Sequence, residues 1–263
     1  MAAVANIHKD AKIGKNTVIE PFATVYGDVV IGENCWIGPG AVIMDGARIG
    51  DNCKIFPGAV ISAIPQDLKY RGEYTTAEIG NNCTIRECVT INKGTIDRQT
   101  TKVGDNCLLM AYVHLAHDCF VGNSVILANS VNVAGHVNIE DHVIIEGAAA
   151  IQQFLTIGSH AFIGGGSLVR KNVPPYVKAA REPLSFIGVN TIGLKRRGFQ
   201  DKEIIEIEDI YRLIYVHNNN ISKALKIAEL EIPSSPHKEL ILKFINNSEK
   251  GIKIEQLYLN IEH

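Results

Sequence analysis

Nearly every sixth residue from Ile7 is aliphatic: Ile7, Ile13, Ile19, Val25 and Ile31, continuing to Ile151, Ile157, Ile163 and Val169. Of the 28 positions in this phase, 25 are Ile, Val or Leu, although these types make up roughly a quarter of the chain. The residue four places further on is often small, as at Ala11, Ala23, Cys35, Ala41, Cys53, Ala59 and Ala149. A period of six is neither the 3.6 of an amphipathic helix nor the simple alternation of a strand. It is the hexapeptide pattern of a parallel β-helix. Each hexad is a short strand and a turn. Three hexads close a coil of about 18 residues, and coils stack about 4.8 Å apart. The aliphatic residue fills the interior, and the small one sits where a larger side chain would collide. Gly14, Asn16, Gly32, Asn34, Gly50, Asn52, Gly104 and Asn106 fall at the turns, where they are expected to supply positive φ.

Two stretches interrupt the pattern and keep its phase, over residues 62–78 and 97–102, with Asp67, Glu73 and Asp97 at the aliphatic positions. Insertions in a solenoid map to loops on one face, often the binding face. The repeat ends after Val173-Pro174-Pro175. From about Gly193 the chain becomes charged, and Ile204, Ile207, Tyr211, Ile214 and Tyr215 recur at helical spacing. Further helices are predicted over 220–231 and 236–247, with Pro233 and Pro236 between them. Two parts follow: an all-β solenoid over residues 1–188 and a helical domain over 189–263.

Composition narrows the function. With 46% apolar and 21% charged residues the chain can bury a core, and a net charge of -2 speaks against a protein built to neutralise nucleic acid. No run reaches the ~18 apolar residues of a membrane span. The start, Met1-Ala2-Ala3-Val4-Ala5-Asn6, lacks the basic and apolar regions of a signal peptide, so a cytoplasmic location is expected. Cys35, Cys53, Cys83, Cys107 and Cys119 take the small position of their hexads and are expected as interior spacers; Cys88 stands outside it.

Because coils repeat every 18 residues, separation along the chain becomes position in space. His117 is expected over Gly135, and Gly135 over Gln153. His114 and His136 fall on the same edge, whereas His142 lies past the next corner. Three converging histidines suit either a metal site or general-base catalysis. Asp118 can orient the His117 ring if turn geometry brings them together, and the Gly135 N–H can face a developing oxyanion. No Ser or Cys stands beside the base as a nucleophile. Gln66, Asp67, Lys69 and Tyr70 add polar groups in the first interruption, and Lys195-Arg196-Arg197 offers a phosphate clamp.

The runs Gln66-Asp67-Leu68-Lys69-Tyr70, His114-Leu115-Ala116-His117-Asp118-Cys119, Ala134-Gly135-His136-Val137, Asn172-Val173-Pro174-Pro175-Tyr176 and Gly188-Val189-Asn190, with Gly193 to Phe199, carry a resemblance. Together they resemble the acyl-carrier-protein-dependent UDP-N-acetylglucosamine O-acyltransferases that open lipid A biosynthesis in Gram-negative bacteria. The resemblance implies a left-handed β-helix, against the usual right-handed crossover, and a cytoplasmic homotrimer with active sites between subunits. It implies His117 as general base toward the sugar 3-hydroxyl, Asp118 as its support and the Gly135 N–H as oxyanion donor. The acyl donor is then a 3-hydroxyacyl carrier protein, with no cofactor or metal. Gln66, Asp67, Lys69, Tyr70, His114 and His136 resemble residues around the sugar and acyl chain. Gln153, Asn190, Arg196 and Arg197 resemble nucleotide and phosphate contacts, and Gly165 falls where acyl length is measured. Gln152, Pro183 and Ile192 depart from the family pattern, so chain-length preference does not transfer. Basic Arg170, Lys171 and Lys195 are candidates for the acidic carrier.

Two enzymes provide the alternatives. The sister N-acyltransferase usually carries a uridine-binding domain before its helix, for which repeats starting at Ile7 leave no room. A γ-type carbonic anhydrase would hold zinc on its histidines. A non-catalytic β-helix is the third reading.

Overall fold

The computed structural model describes residues 4–215 and 221–247. Its solenoid is a left-handed parallel β-helix with three sheets of nine, eight and ten strands. Most strands have two residues, and all but the last few pair with the third strand on, as in Asn6↔Thr24, Lys12↔Val30 and Val18↔Trp36. Three hexads therefore make one coil. The outer residue of each strand is exposed or half-buried, while the aliphatic partner, such as Ile37, Ile55, Leu109 or Ile145, is fully buried. The first coil has no coil beneath it, so Ile7 is 44% exposed and Ile13 and Ile19 are only half-buried.

The first interruption is narrower than the aliphatic pattern suggests, and the second lies earlier along the chain. Strand Val60–Ala63 is followed by a loop over 64–75 and strand Thr76–Ile79; strand Thr90–Asn92 is followed by a loop over 93–99 and strand Thr100–Val103. Pairing is set by backbone ladders, which begin at Thr76↔Thr100, three residues before the interior aliphatics Ile79 and Val103 resume the phase. A polar pair at the ladder's start, with Thr76 Oγ1 donating to Thr100 Oγ1 over 2.9 Å, is invisible to a hydrophobic count.

The turns also differ from expectation in cause. Asn16, Asn34, Asn52 and Asn106 have φ of 56–58°, but Gly14, Gly32, Gly50 and Gly104 are not in the left-handed region. These glycines serve close approach instead: a Cβ on Gly14 would lie 2.4 Å from the backbone of Gly32 in the next coil. The interior cysteines do more than fill space. Cys35, Cys53, Cys83 and Cys107 form one column on successive coils, each thiol donating to a glycine carbonyl of the coil above at 3.0–3.1 Å. Thr17 heads the column and donates its hydroxyl to the Gly32 carbonyl in the same way, over 2.7 Å.

After the hairpin of Val177–Ala180 and Ser185–Val189 come α1 (Thr191–Arg196), α2 (Asp201–Tyr215), α3 (Ile221–Glu231) and α4 (Pro236–Asn246). The helical spacing is realised in α2, whose Ile204, Ile207, Ile210, Tyr211 and Ile214 are buried. Phe186 of the hairpin packs on Tyr211, and the Tyr211 hydroxyl donates to the Pro175 carbonyl over 2.5 Å, tying α2 to the solenoid. Ser235 caps α4 at Lys238 N, with Pro236 in the first turn.

Candidate active site

One edge of the prism, between the nine- and eight-stranded sheets, collects most of the expected residues. Loop 64–75, loop 93–99, and the turns at His117-Asp118, Gly135-His136 and Gln153-Phe154 lie on it in successive coils. Adjacent side chains diverge in a strand, but Asp118 has φ of 60°, and this turn folds its carboxylate back onto its neighbour. His117 Nδ1 lies 2.8 Å from Asp118 Oδ2.

Asp118 is fully buried, and four donors surround its carboxylate. Oδ1 accepts from Thr95 N at 3.0 Å and Arg98 N at 3.2 Å, and Oδ2 accepts from the Thr95 hydroxyl at 2.6 Å as well as from His117. Burial pushes its pKa up, but the Thr95 and His117 hydrogen bonds outweigh it and hold the group below the usual carboxylate value. Asp118 is thus an anion that accepts from Nδ1–H, which leaves the His117 Nε2 lone pair for proton abstraction. Gly135 stands against this nitrogen: an ideal Cβ there would be 2.9 Å from Nε2 and 2.8 Å from Cε1. Among the described residues nothing accepts from the Gly135 N–H.

His136 packs edge-on to His117 with centroids 5.1 Å apart and stacks on Phe154 at 4.5 Å. Its Nδ1 is 3.1 Å from Asp97 Oδ2 and its Nε2 3.8 Å from Asp118 Oδ2. Burial lowers its pKa despite the pull of Asp118. His114 is on the preceding strand, bonded through Nδ1 to Thr90 Oγ1 at 2.7 Å, and burial lowers its pKa too. The three histidines therefore form a contacting pair and a neighbour.

Gln66 and Lys69 are exposed in the first loop, and Asp67 organises it by accepting from Lys69 N at 2.9 Å, while the Tyr70 hydroxyl donates to the Glu73 carbonyl. Gln153 is exposed at the turn beyond Gly135. The nucleotide candidates lie elsewhere. Asn190 caps α1 and donates to the His160 carbonyl over 2.9 Å, Arg197 donates to the His142 carbonyl over 2.8 Å, and Arg196 is exposed. These belong to the edge between the eight- and ten-stranded sheets. Gly165 is on the third edge, where its N–H donates to Glu146 at 3.0 Å. Within one chain the expected site is thus spread over all three edges.

Thr95, Asp97, Arg98 and Phe154 are contacts that spacing alone did not single out. Their only trace in the sequence is that Asp97 breaks the aliphatic phase. His117, Asp118 and His136 also place donor atoms within 4.8 Å of one another, a distance compatible with a cation. Yet both Asp118 oxygens and His117 Nδ1 are already engaged in hydrogen bonds, which suits a His–Asp pair better than a metal set.

A stacked hexapeptide coil carrying a buried Asp, a histidine with a free Nε2 and an adjoining glycine N–H defines an acyltransferase of the hexapeptide class. The family described as bacterial transferase hexapeptide (six repeats) matches residues 10–35 and 28–63, and UDP-N-acetylglucosamine O-acyltransferase, domain 2, matches residues 172–253. The chain is 40% identical over 188 residues to the acyl-[acyl-carrier-protein]–UDP-N-acetylglucosamine O-acyltransferase of Aliivibrio fischeri (strain MJ11), covering 71% of this chain and 72% of that one. The crystal structure of the UDP-N-acetylglucosamine acyltransferase from Bacteroides fragilis superposes with a TM-score of 0.93 at 49% identity, over 96% of this chain and 99% of that one. The Francisella novicida enzyme of the same name gives 0.92 at 36% identity, over 100% and 99%. This chain belongs to the UDP-N-acetylglucosamine O-acyltransferase family. Neither the N-acyltransferase nor the carbonic anhydrase reading is favoured beside these relatives.

Proposed function

We propose that this acyltransferase carries a 3-hydroxyacyl group from an acyl carrier protein thioester to the 3-hydroxyl of UDP-N-acetylglucosamine, the first step of lipid A biosynthesis. The observation that carries the reading is the His117–Asp118 pair facing Gly135. His117 Nε2 takes the proton of the sugar hydroxyl as its oxygen attacks the thioester carbon. The new C–O bond gives a tetrahedral oxyanion, which accepts from the Gly135 N–H. Collapse breaks the C–S bond, and the imidazolium returns its proton to the thiolate. Each proton is accounted for without a cofactor, so none is proposed.

Asp67, Lys69, Gln66 and Tyr70 on the first loop, with His114 and His136, are proposed to hold the sugar and acyl chain. Gln153, Asn190, Arg196 and Arg197 are proposed for the nucleotide and its phosphates, and Gly165 for acyl length. These groups lie on three edges of one chain, which supports a homotrimer whose sites lie between edges of neighbouring copies. Arg170, Lys171 and Lys195 are proposed for the carrier; Arg170 pairs with Glu182 at 2.6 Å and Lys195 with Asp201 at 2.8 Å. Among the described residues no helix is long and apolar enough to cross a membrane. A cytoplasmic location is proposed because both substrates are water-soluble carriers.

Turnover of acyl carrier proteins of several chain lengths against UDP-N-acetylglucosamine, read by mass spectrometry, tests the reading. The expected result is product with the native protein, after chelation as well as before, and none with His117→Ala. Near-normal turnover by His117→Ala refutes the general base, and activity lost to a chelator and restored by zinc refutes the metal-free mechanism.

A further inference from the structure

The loop over 93–99 lengthens one coil from 18 to 24 residues, as Thr90↔His114 shows, and it lies directly against the catalytic pair. Thr95, Asp97 and Arg98 reach the next coils, Asp97 through the His136 ring at 3.1 Å. Thr95 donates both its N–H and its hydroxyl to Asp118, 23 residues away. Arg98 donates its N–H to Asp118 Oδ1, and its Nη1 donates to the Asp118 carbonyl at 3.0 Å and to Asn138 Oδ1 at 2.8 Å, with the guanidinium 4.9 Å from the Phe120 ring centroid. The Thr95 hydroxyl is the shortest of the four contacts to the carboxylate, and it shares Oδ2 with His117 Nδ1. A hydroxyl has one hydrogen, so at this site it donates to an anion and loses that bond if Asp118 takes a proton or turns away.

We infer that Thr95 is a positioning residue for the proposed acyl transfer: its hydroxyl fixes the Asp118 carboxylate in the orientation and charge that hold His117 with Nδ1–H inward and Nε2 free. The inference rests on the general-base reading of His117 and extends it to a residue outside the reacting atoms. The groups facing the Asp118 carboxylate are His117, His136 with Asp97 behind it, and Arg98, whose guanidinium reaches the Asp118 carbonyl; Thr95 supplies the one hydroxyl donor among them. An imidazole without a fixed partner divides its population between two tautomers and more than one ring orientation, which lowers the rate of proton abstraction and leaves substrate contacts intact.

The test compares Thr95→Val, which keeps the shape and removes the hydroxyl, with Thr95→Ser, which keeps the hydroxyl, under steady-state kinetics across pH. Thr95→Val is expected to lower kcat about tenfold with KM for UDP-N-acetylglucosamine unchanged, and to move the acid limb of the profile up by about one pH unit. Thr95→Ser is expected to stay within about twofold of the native enzyme. Melting temperatures confirm folding, and Thr95→Ala replaces the Val variant if that one does not fold. Native kcat and an unmoved acid limb without the hydroxyl overturn the inference, as does an equal loss in Thr95→Ser. His117→Ala in parallel separates the two claims: if it is active, the general base fails, and if it is inactive while Thr95→Val is native-like, only the positioning role fails.

Discussion

The His117 ring lies so close to the backbone of Gly135 that a β-carbon at 135 would sit 2.8 Å from Cε1 and 2.9 Å from Nε2. Gly135 has no left-handed φ, so alanine is acceptable to the backbone and only the ring has to move. Gly135→Ala is therefore expected to fold normally and to lose about 10²-fold in kcat, the usual cost of misplacing a catalytic group by an ångström. Steady-state kinetics beside a melting curve checks this. A fully active variant would show that the ring's position against Gly135 has no part in the chemistry.

Asp118 links the site to acid stability. Its folded pKa is depressed, so its contribution to stability is fully present above the unfolded value near pH 4 and is lost as pH falls through the lower folded value. Asp118→Asn never gains that contribution. The native protein is expected to lose its advantage over the variant progressively below about pH 4, as measured by denaturant midpoints from pH 7 to 3. At neutral pH the same variant is expected to lose about 10²-fold or more in kcat, because the amide can present its N–H to Nδ1 and favour the wrong tautomer.

The repeat was legible because one side chain in six must fill a narrow interior, and nothing else in the chain is so constrained. His117 over Gly135 followed from the 18-residue coil without any side-chain detail. Thr95, Asp97 and Arg98 did not follow, since a loop that leaves the hexad has no period from which to infer direction. The bounds of both loops shifted for the same reason: Thr76 and Thr100 join the ladder through backbone bonds that hydrophobicity does not report. The glycines do stand at the turns, but for close approach of the coils and not for positive φ. Asn34 and its equivalents take the positive φ, and Gly32 and its equivalents admit the neighbouring coil. The expected helix start at 220 and the outer bounds of the expected domains, 1 and 263, lie outside the described residues.

The cysteine column gives a prediction in thiol chemistry. Five of the six thiols are buried, and Cys88 is exposed. The thiol of Cys83 is pushed up to about 12, chiefly by the hydrogen bond with Cys107, with burial adding to it, and Cys119 reaches about 12 by burial. Cys107 goes the other way, lowered by its bond with Cys83, but like the other four it is shut away from a reagent, so the native protein should consume one equivalent of a disulfide reagent rapidly and six only after denaturation. Within the column, Cys83→Ser is expected to be milder than Cys83→Val, because the hydroxyl can still donate to the Gly104 carbonyl while valine leaves it unpaired, a difference of about 1 kcal/mol. Denaturant titration of the two variants measures it.

His160 gives the second edge its own pH dependence. Its ring stacks between His142 at 4.8 Å and Tyr176 at 5.6 Å, with Phe199 edge-on, and its Nδ1 is buried without a partner among the described residues. Burial first, then the neighbouring His142 and Arg197, lower its pKa to about 4. The unfolded chain takes a proton near pH 6.5 while the folded one resists until about 4. Between those values the unfolded state binds more protons, so stability falls as pH falls. Phenylalanine keeps the stack and has nothing to protonate. His160→Phe is expected to flatten the decline in melting temperature from pH 7 to 4.5 and to melt about 2–4 °C above the native protein at pH 5. An unchanged slope would mean that the ring is protonated in the folded state as readily as in the unfolded chain, and that the burial of His160 does not govern this edge.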